Sequence, residues 1–133
     1  MQTGVHDPDT RGNGVIRIFR ALFLCAFLTA PAVAQQNIEQ RKIEYLIDAI
    51  AELQHATFIR NGTEYNTRQA VEHLRLKLNL AGRRVRTADD FIVYCATGSS
   101  TSGGKYRIRF ADGQVRDSAE FLRGKLALYK PPG

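Results

Sequence analysis

Phe58-Ile-Arg-Asn-Gly-Thr-Glu-Tyr65 limits the fold more than any other stretch of this 133-residue chain. Asn61-Gly62 stands between two short strand-like runs. A type I′ turn needs positive φ at both central positions, which Asn and Gly tolerate best. The stretch therefore predicts a β-hairpin with Phe58 opposite Tyr65, an aromatic cross-strand pair. Asn61-Gly62-Thr63 also matches a glycosylation sequon, but the turn already explains these residues. A second hairpin follows from Tyr106, Ile108 and Phe110, which alternate with Arg107 and Arg109 ahead of Asp112-Gly113. A two-residue loop there sets Val115 opposite Phe110 and leaves Arg107, Arg109 and Arg116 on one basic face.

Helical patterns alternate with these hairpins. Ile43, Leu46, Ile47, Ile50 and Leu53 recur at the spacing of an amphipathic helix. Asn66 or Thr67 can cap a second helix with Val71, Leu74, Leu78 and Ala81 on one stripe, and Gly82 can end it. Thr87-Ala-Asp-Asp90 is a capping-box pattern opening a third helix, whose apolar stripe is Ala88, Phe91, Ile92 and Cys95. Asp117-Ser-Ala-Glu120 caps a fourth, with Leu122, Leu126 and Tyr129 turned inward. The expected architecture is a small single α+β domain in the order α-β-β-α-α-β-β-α, its helices packed with two short antiparallel β-hairpins that can share one sheet.

The N-terminal 34 residues have a different character. Arg17 and Arg20 precede an apolar run, Ala21–Thr29, and then Pro31 and Ala32-Val33-Ala34. That order is a secretory signal peptide, with cleavage expected between Ala34 and Gln35. A transmembrane helix needs about 20 apolar residues, so the run is too short to span a bilayer. A buried helix would show an amphipathic period, which the run lacks. Bulky Leu22, Phe23 and Leu24 before Cys25 do not suit lipid attachment. The polar, turn-rich residues ahead of the leader place the expected translation start near Val15. Residues 1–34 are thus read as extension plus signal peptide, and 35–133 as the globular domain, bound for the periplasm.

Without the leader one cysteine remains, Cys95, on an apolar stripe, where a buried and inert thiol is expected. Cys95, His55 and His73 are too few for a structural zinc site, and no cofactor is called for. The full chain carries a net charge of +6. In an exported protein, that balance points to lipid head groups, cell-wall polymers or acidic proteins as partners, or to ordinary solubility. Nucleic acid is not expected: Arg83, Arg84 and Arg86 cluster without stacking aromatics.

The loop Gly98–Tyr106 (GSSTSGGKY) imitates two catalytic motifs and satisfies neither. A P-loop follows a strand and opens a helix, whereas here the order is helix, loop, strand, and Tyr106 replaces the magnesium-binding Ser/Thr. An S-x-x-K serine opens a helix, which Gly103-Gly104 cannot support. The segment reads as a helix C-cap followed by a loop.

The motifs F-x-R-N-G (Phe58–Gly62), H-L-x-x-K (His73–Lys77) and S-S-x-S-G-x-x-Y (Ser99–Tyr106), in this order across Ile43–Tyr129, resemble the bacterial exported family catalogued as domain of unknown function 5329. The resemblance implies export and a single domain. Its signature positions are Arg60, Asn61, Gly62 and Tyr65; His73, Leu74 and Lys77; and Ser99, Ser100, Ser102, Gly103 and Tyr106. Relatives with a cysteine before the first hairpin meet Ala56 here, so no disulfide carries over.

Two functional classes stay open. One is a non-catalytic envelope module that binds a polar or anionic ligand or a partner protein. The candidate surface comprises Arg60, Asn61, Tyr65, the one-turn pair His73 and Lys77, the loop residues Ser99, Ser100, Ser102 and Gly103, Tyr106, and Arg109 as a carboxylate or phosphate grip. The other is a small serine-dependent hydrolase or transferase in which His73 activates a loop serine. Both require the loop to pack near the first hairpin and the His73/Lys77 face.

Overall fold

Residue by residue, the computed structural model describes Gly4 and positions 30–133; the basic and apolar parts of the leader, Cys25 included, lie outside the described residues. Helix α1 (Ala30–Ala51) buries Ile43, Leu46, Ile47 and Ile50, and Leu53 follows its end partly buried. The first hairpin comes next, β1 (Thr57–Arg60) and β2 (Thr63–Tyr65), with Phe58 paired to Tyr65. Asn61 at φ 52 and Gly62 at φ 77 supply the two left-handed turn positions that a type I′ turn demands.

Asn66 then caps α2 (Thr67–Ala81). Its Oδ1 accepts the Gln69 N–H at 2.9 Å, and Gln69 Oε1 accepts the Asn66 N–H at 3.0 Å, a reciprocal box that fixes the start of the helix. Gly82 ends it at φ 52. Of the expected stripe only Leu74 is fully buried, while Val71, Leu78 and Ala81 pack on the margin of the core. Thr87 and Asp90 form a second capping box for α3 (Ala88–Phe91), which continues as one π-helical turn over Ile92–Ala96. Thr97 Oγ1 donates to the Ile92 carbonyl at 2.8 Å and closes that wide turn. Apolar spacing over two turns does not separate a π-turn from an α-turn, so the sequence did not show it.

The second hairpin, β3 (Arg107–Arg109) and β4 (Val115–Asp117), joins the first through β1, giving an antiparallel sheet in the order β2-β1-β3-β4. Its register corrects the sequence-based expectation. Arg109 stands opposite Val115 and Ile108 opposite Arg116. Phe110 N–H donates to Gln114, so the loop is Ala111-Asp112-Gly113, with Gly113 at φ 83. A three-residue loop with its left-handed glycine last is the next most common hairpin closure. Because side chains alternate, this one-residue difference turns β4 over. Val115 joins the outer face, 49% exposed, and Arg116 moves to the face of Ile108 and Phe110, its guanidinium 5.9 Å from the Phe110 ring.

Helix α4 (Ser118–Ala127) closes the domain with Leu122 buried and Leu126 partly so. Two details differ from expectation. Asp117 holds the N-cap position but makes no capping bond; its carboxylate turns to Lys105 at 2.8 Å and Arg107 at 3.8 Å. Tyr129 lies past the helix end and packs edge-on against Tyr45, ring centroids 5.2 Å apart.

The four described helices pack with the Phe58/Ile108 side of the sheet, where Leu46, Ile47, Ile50, Phe91, Ile92, Ile108 and Leu122 are fully buried. Each such side chain contributes about 1.5–3 kcal/mol of burial. Exposed Glu64, Arg107 and Val115 mark the other side. The architecture is therefore α+β in the expected order. No described helix is long and apolar enough to cross a membrane.

Candidate functional site

Alternation along β1 places Arg60 on the same face as Phe58, directed toward the helices. One register step past the Ile59–Arg107 pair, it comes level with Tyr106. Because α2 starts two residues after β2, its first turns lie over the hairpin and bring His73 to Arg60. One guanidinium nitrogen of Arg60 is 2.9 Å from Nδ1 and 3.0 Å from Nε2 of His73. A point equidistant from both ring nitrogens lies on neither lone-pair axis, so the guanidinium faces the ring. Arg60 also stands 5.5 Å from the Tyr65 ring centroid, so the cation meets two aromatic rings.

Tyr106 connects this pair to Lys77. Its hydroxyl is 3.2 Å from His73 Nε2 and 3.5 Å from Lys77 Nζ, which also donates to the Gly98 carbonyl at 2.9 Å. The ammonium sits 5.0 Å from the Tyr106 ring centroid. Lys77 can only donate, so the hydroxyl accepts from Lys77, which leaves its own proton to donate onward where the His73 Nε2 lone pair is free. That chain requires a neutral imidazole. Burial, followed by the charges of Arg60 and Lys77, lowers the His73 pKa accordingly. Burial also depresses Lys77 and raises the Tyr106 hydroxyl. Cys95 is free and fully buried, its thiol pushed up by burial against the opposing charge of Lys77.

The serine loop packs on the turn of the first hairpin. Ser102 Oγ donates to Asn61 Oδ1 at 2.6 Å, and Asn61 Nδ2 donates to Ser99 Oγ at 3.4 Å. Ser99 Oγ also accepts the Thr101 and Ser102 N–H groups, while Ser102 Oγ accepts that of Gly104. Backbone bonds between Ser99 and Gly104 and from Gly103 to Ser99 close the loop, with Gly103 at φ 69. Gly98 is required there, since a Cβ would meet the Gly104 carbonyl oxygen at 2.7 Å. Ser100 is exposed.

Arg60, Asn61, Tyr65, His73, Lys77, Ser99, Ser102, Gly103 and Tyr106 thus share one end of the domain. Arg109 does not: it points to the outer side of the sheet and pairs with Glu64 at 2.6 Å. No hydrogen bond joins His73 to a loop serine among the described residues; its ring nitrogens meet Arg60 and Tyr106. A cavity beside Arg60 and His73 reaches Ile50 of the α1 stripe and adds residues that the sequence did not single out, among them Gln69 and Ala70. Only Gln69 had a local signal, as the N3 partner of the Asn66 cap. Among the described residues no group of three or more His, Cys, Asp or Glu is placed to hold a metal ion.

All these positions fall within residues 37–130, the span matched by the model of the Family of unknown function (DUF5329). The chain belongs to this family. It is also similar to the Uncharacterized protein YfeK of Salmonella typhimurium, 42% identical over 80 residues, which cover 59% of this chain and 67% of that protein. No solved structure matches. The DUF5329 domain is one of unknown function, so its chemistry has to be argued from the site itself.

Proposed function

We propose that this chain is an exported, non-catalytic binding module whose Arg60–His73–Tyr106–Lys77 cluster captures an anionic group on a ligand or partner protein. The observation that carries this reading is the absence of a carboxylate partner for Arg60 and Lys77 among the described residues. The ion pairs there lie elsewhere: Lys42–Glu39, Arg75–Glu44, Lys105 and Arg107 with Asp117, and Arg109–Glu64. Two partly buried cations flanking one imidazole repel each other and hold the imidazole neutral. An anion docked against Arg60 relieves that repulsion and takes up donors that now face only rings and neutral oxygens. The leader, with its basic, apolar and A-x-A order, supports delivery of residues 35–133 to the periplasm.

The test follows the ring protons of His73 by NMR while acetate or inorganic phosphate replaces chloride at fixed ionic strength. Anion capture moves these resonances and raises the His73 titration midpoint. A response no different from that to chloride overturns the reading. For export, the N-terminal mass of protein recovered from the producing cells is decisive: a start at Gln35 supports it, and intact precursor confined to the cytosol overturns it.

A further inference from the structure

The cavity beside the Arg60–His73 contact measures about 180 Å³. Its floor is apolar: Ile50, Phe58 and Leu74 are 0%, 8% and 5% exposed. Tyr65 and Tyr106 wall it, and no Asp or Glu lines it. An enclosed cavity of about 150 Å³ lined by Leu, Ile and Phe is large enough to accept benzene. The space therefore matches one ring or a branched chain of about six carbons.

The cationic and amide groups stand at the mouth, while Ser118, 5% exposed, adds one buried hydroxyl to the lining. Arg60 and His73 are partly exposed there and Gln69 is exposed. Gln69 Oε1 is occupied by the Asn66 N–H, which leaves its side-chain Nε2 to donate. Of the remaining cations, Lys77 is held by Gly98 and Tyr106, and Arg107 lies nearest Asp117. One guanidinium fork and one amide match the two oxygens of a carboxylate; a phosphate dianion asks for more charge and more donors. We propose that this pocket takes a monocarboxylate bearing one compact apolar group, inserted apolar end first, with the carboxylate on Arg60 and Gln69. The assignment rests on the reading of the cluster as an anion site. The shared chemistry is offered both by small free acids and by the C-terminus of a peptide ending in Phe or Leu.

Calorimetric titration of the purified protein at fixed ionic strength tests it, with benzoate, N-acetyl-Ala-Ala-Phe, acetate, inorganic phosphate and benzyl alcohol as probes. Benzoate or the peptide should bind about tenfold or more tightly than acetate, phosphate or benzyl alcohol, the order expected when several carbons are buried beside a charge-matched head. Whichever of the two binds more tightly identifies the source. Arg60→Gln should erase the advantage of benzoate over benzyl alcohol. Ala70→Leu, which adds apolar volume to the pocket from α2 and leaves every cation in place, should weaken benzoate about tenfold and spare the acetate response at His73. Acetate or phosphate binding as tightly as benzoate overturns this assignment and leaves the anion site standing. Benzyl alcohol equalling benzoate also overturns it, and failure of every anion overturns both. The wild-type probe series decides the matter even if neither variant folds.

Discussion

Ser102 Oγ donates a 2.6 Å hydrogen bond to Asn61 Oδ1, tying the serine loop to the turn of the first hairpin. Asn61 serves two ends at once, since its backbone also holds the left-handed φ of 52 that the turn requires.

Separating these roles gives the first prediction. Asn61→Gly keeps the turn geometry and removes both side-chain bonds to the loop. Exchange of the Ser99 and Gly103 amide protons should accelerate about five- to tenfold, as expected for a hydrogen bond worth about 1 kcal/mol. Asn61→Asp keeps the acceptor for Ser102 and should fall between Asn61→Gly and the wild type. Unchanged exchange in Asn61→Gly would mean that the loop holds itself.

The second concerns pH. The folded-state pKa of His73 lies below its ordinary value of about 6.5. The unfolded chain therefore binds the proton more readily, and stability must fall as pH drops through about 6.5 toward the folded-state value. Thermal melts from pH 7.5 to 5.5 should show this loss, and His73→Gln should flatten it. Glu39, Asp90 and Asp117 have lowered pKa values, so their contributions disappear at lower pH, below the ordinary carboxylate range. Arg60→Gln should raise the His73 midpoint more than Lys77→Gln does, following the order of their influence. Identical melts for wild type and His73→Gln across the window would refute the assignment.

A third prediction uses three glycines with different surroundings. Gly124 lies in α4, and a Cβ added there would meet nothing within 4 Å, so Gly124→Ala should stabilise by about 0.5–1 kcal/mol. Gly113 is at φ 83, and Gly113→Ala should cost about 1–2 kcal/mol. Gly98→Ala forces a 2.7 Å contact on the Gly104 carbonyl and should cost about 1–3 kcal/mol. Urea unfolding of the three variants checks both the sign and the order.

The fourth is the thiol. Cys95 is 0% exposed and its pKa is raised, so the reactive thiolate is scarce and sheltered. Peptide mass mapping after treatment with a maleimide should find Cys95 unmodified in native protein and fully modified in urea. Rapid native labelling would place the thiol at the surface instead.

Local rules made much of this fold legible. Asn61-Gly62, the Asn66 and Thr87 caps and the periodicity of α1 act over a few residues, where φ preferences and capping bonds dominate. The resemblance and the one-turn spacing of His73 and Lys77 also grouped residues that the fold gathers at one end of the domain. The second hairpin was different. Asp112-Gly113 fits two loop lengths, and the pairing that puts Ile108 in the core decides between them, because a one-residue slip exchanges the faces of β4.

The site shows the same division. Sequence alone nominated Arg60, Tyr106 and Arg109 on equal terms. Only the sheet pairing, with helices covering one side, turns Arg60 and Tyr106 toward His73 and leaves Arg109 outside with Glu64. The cavity was illegible for the same reason: Ile50, Phe58, Gln69 and Tyr106 meet through packing between distant segments. Spacing along a chain fixes which residues share a face, but which face is buried depends on what covers it.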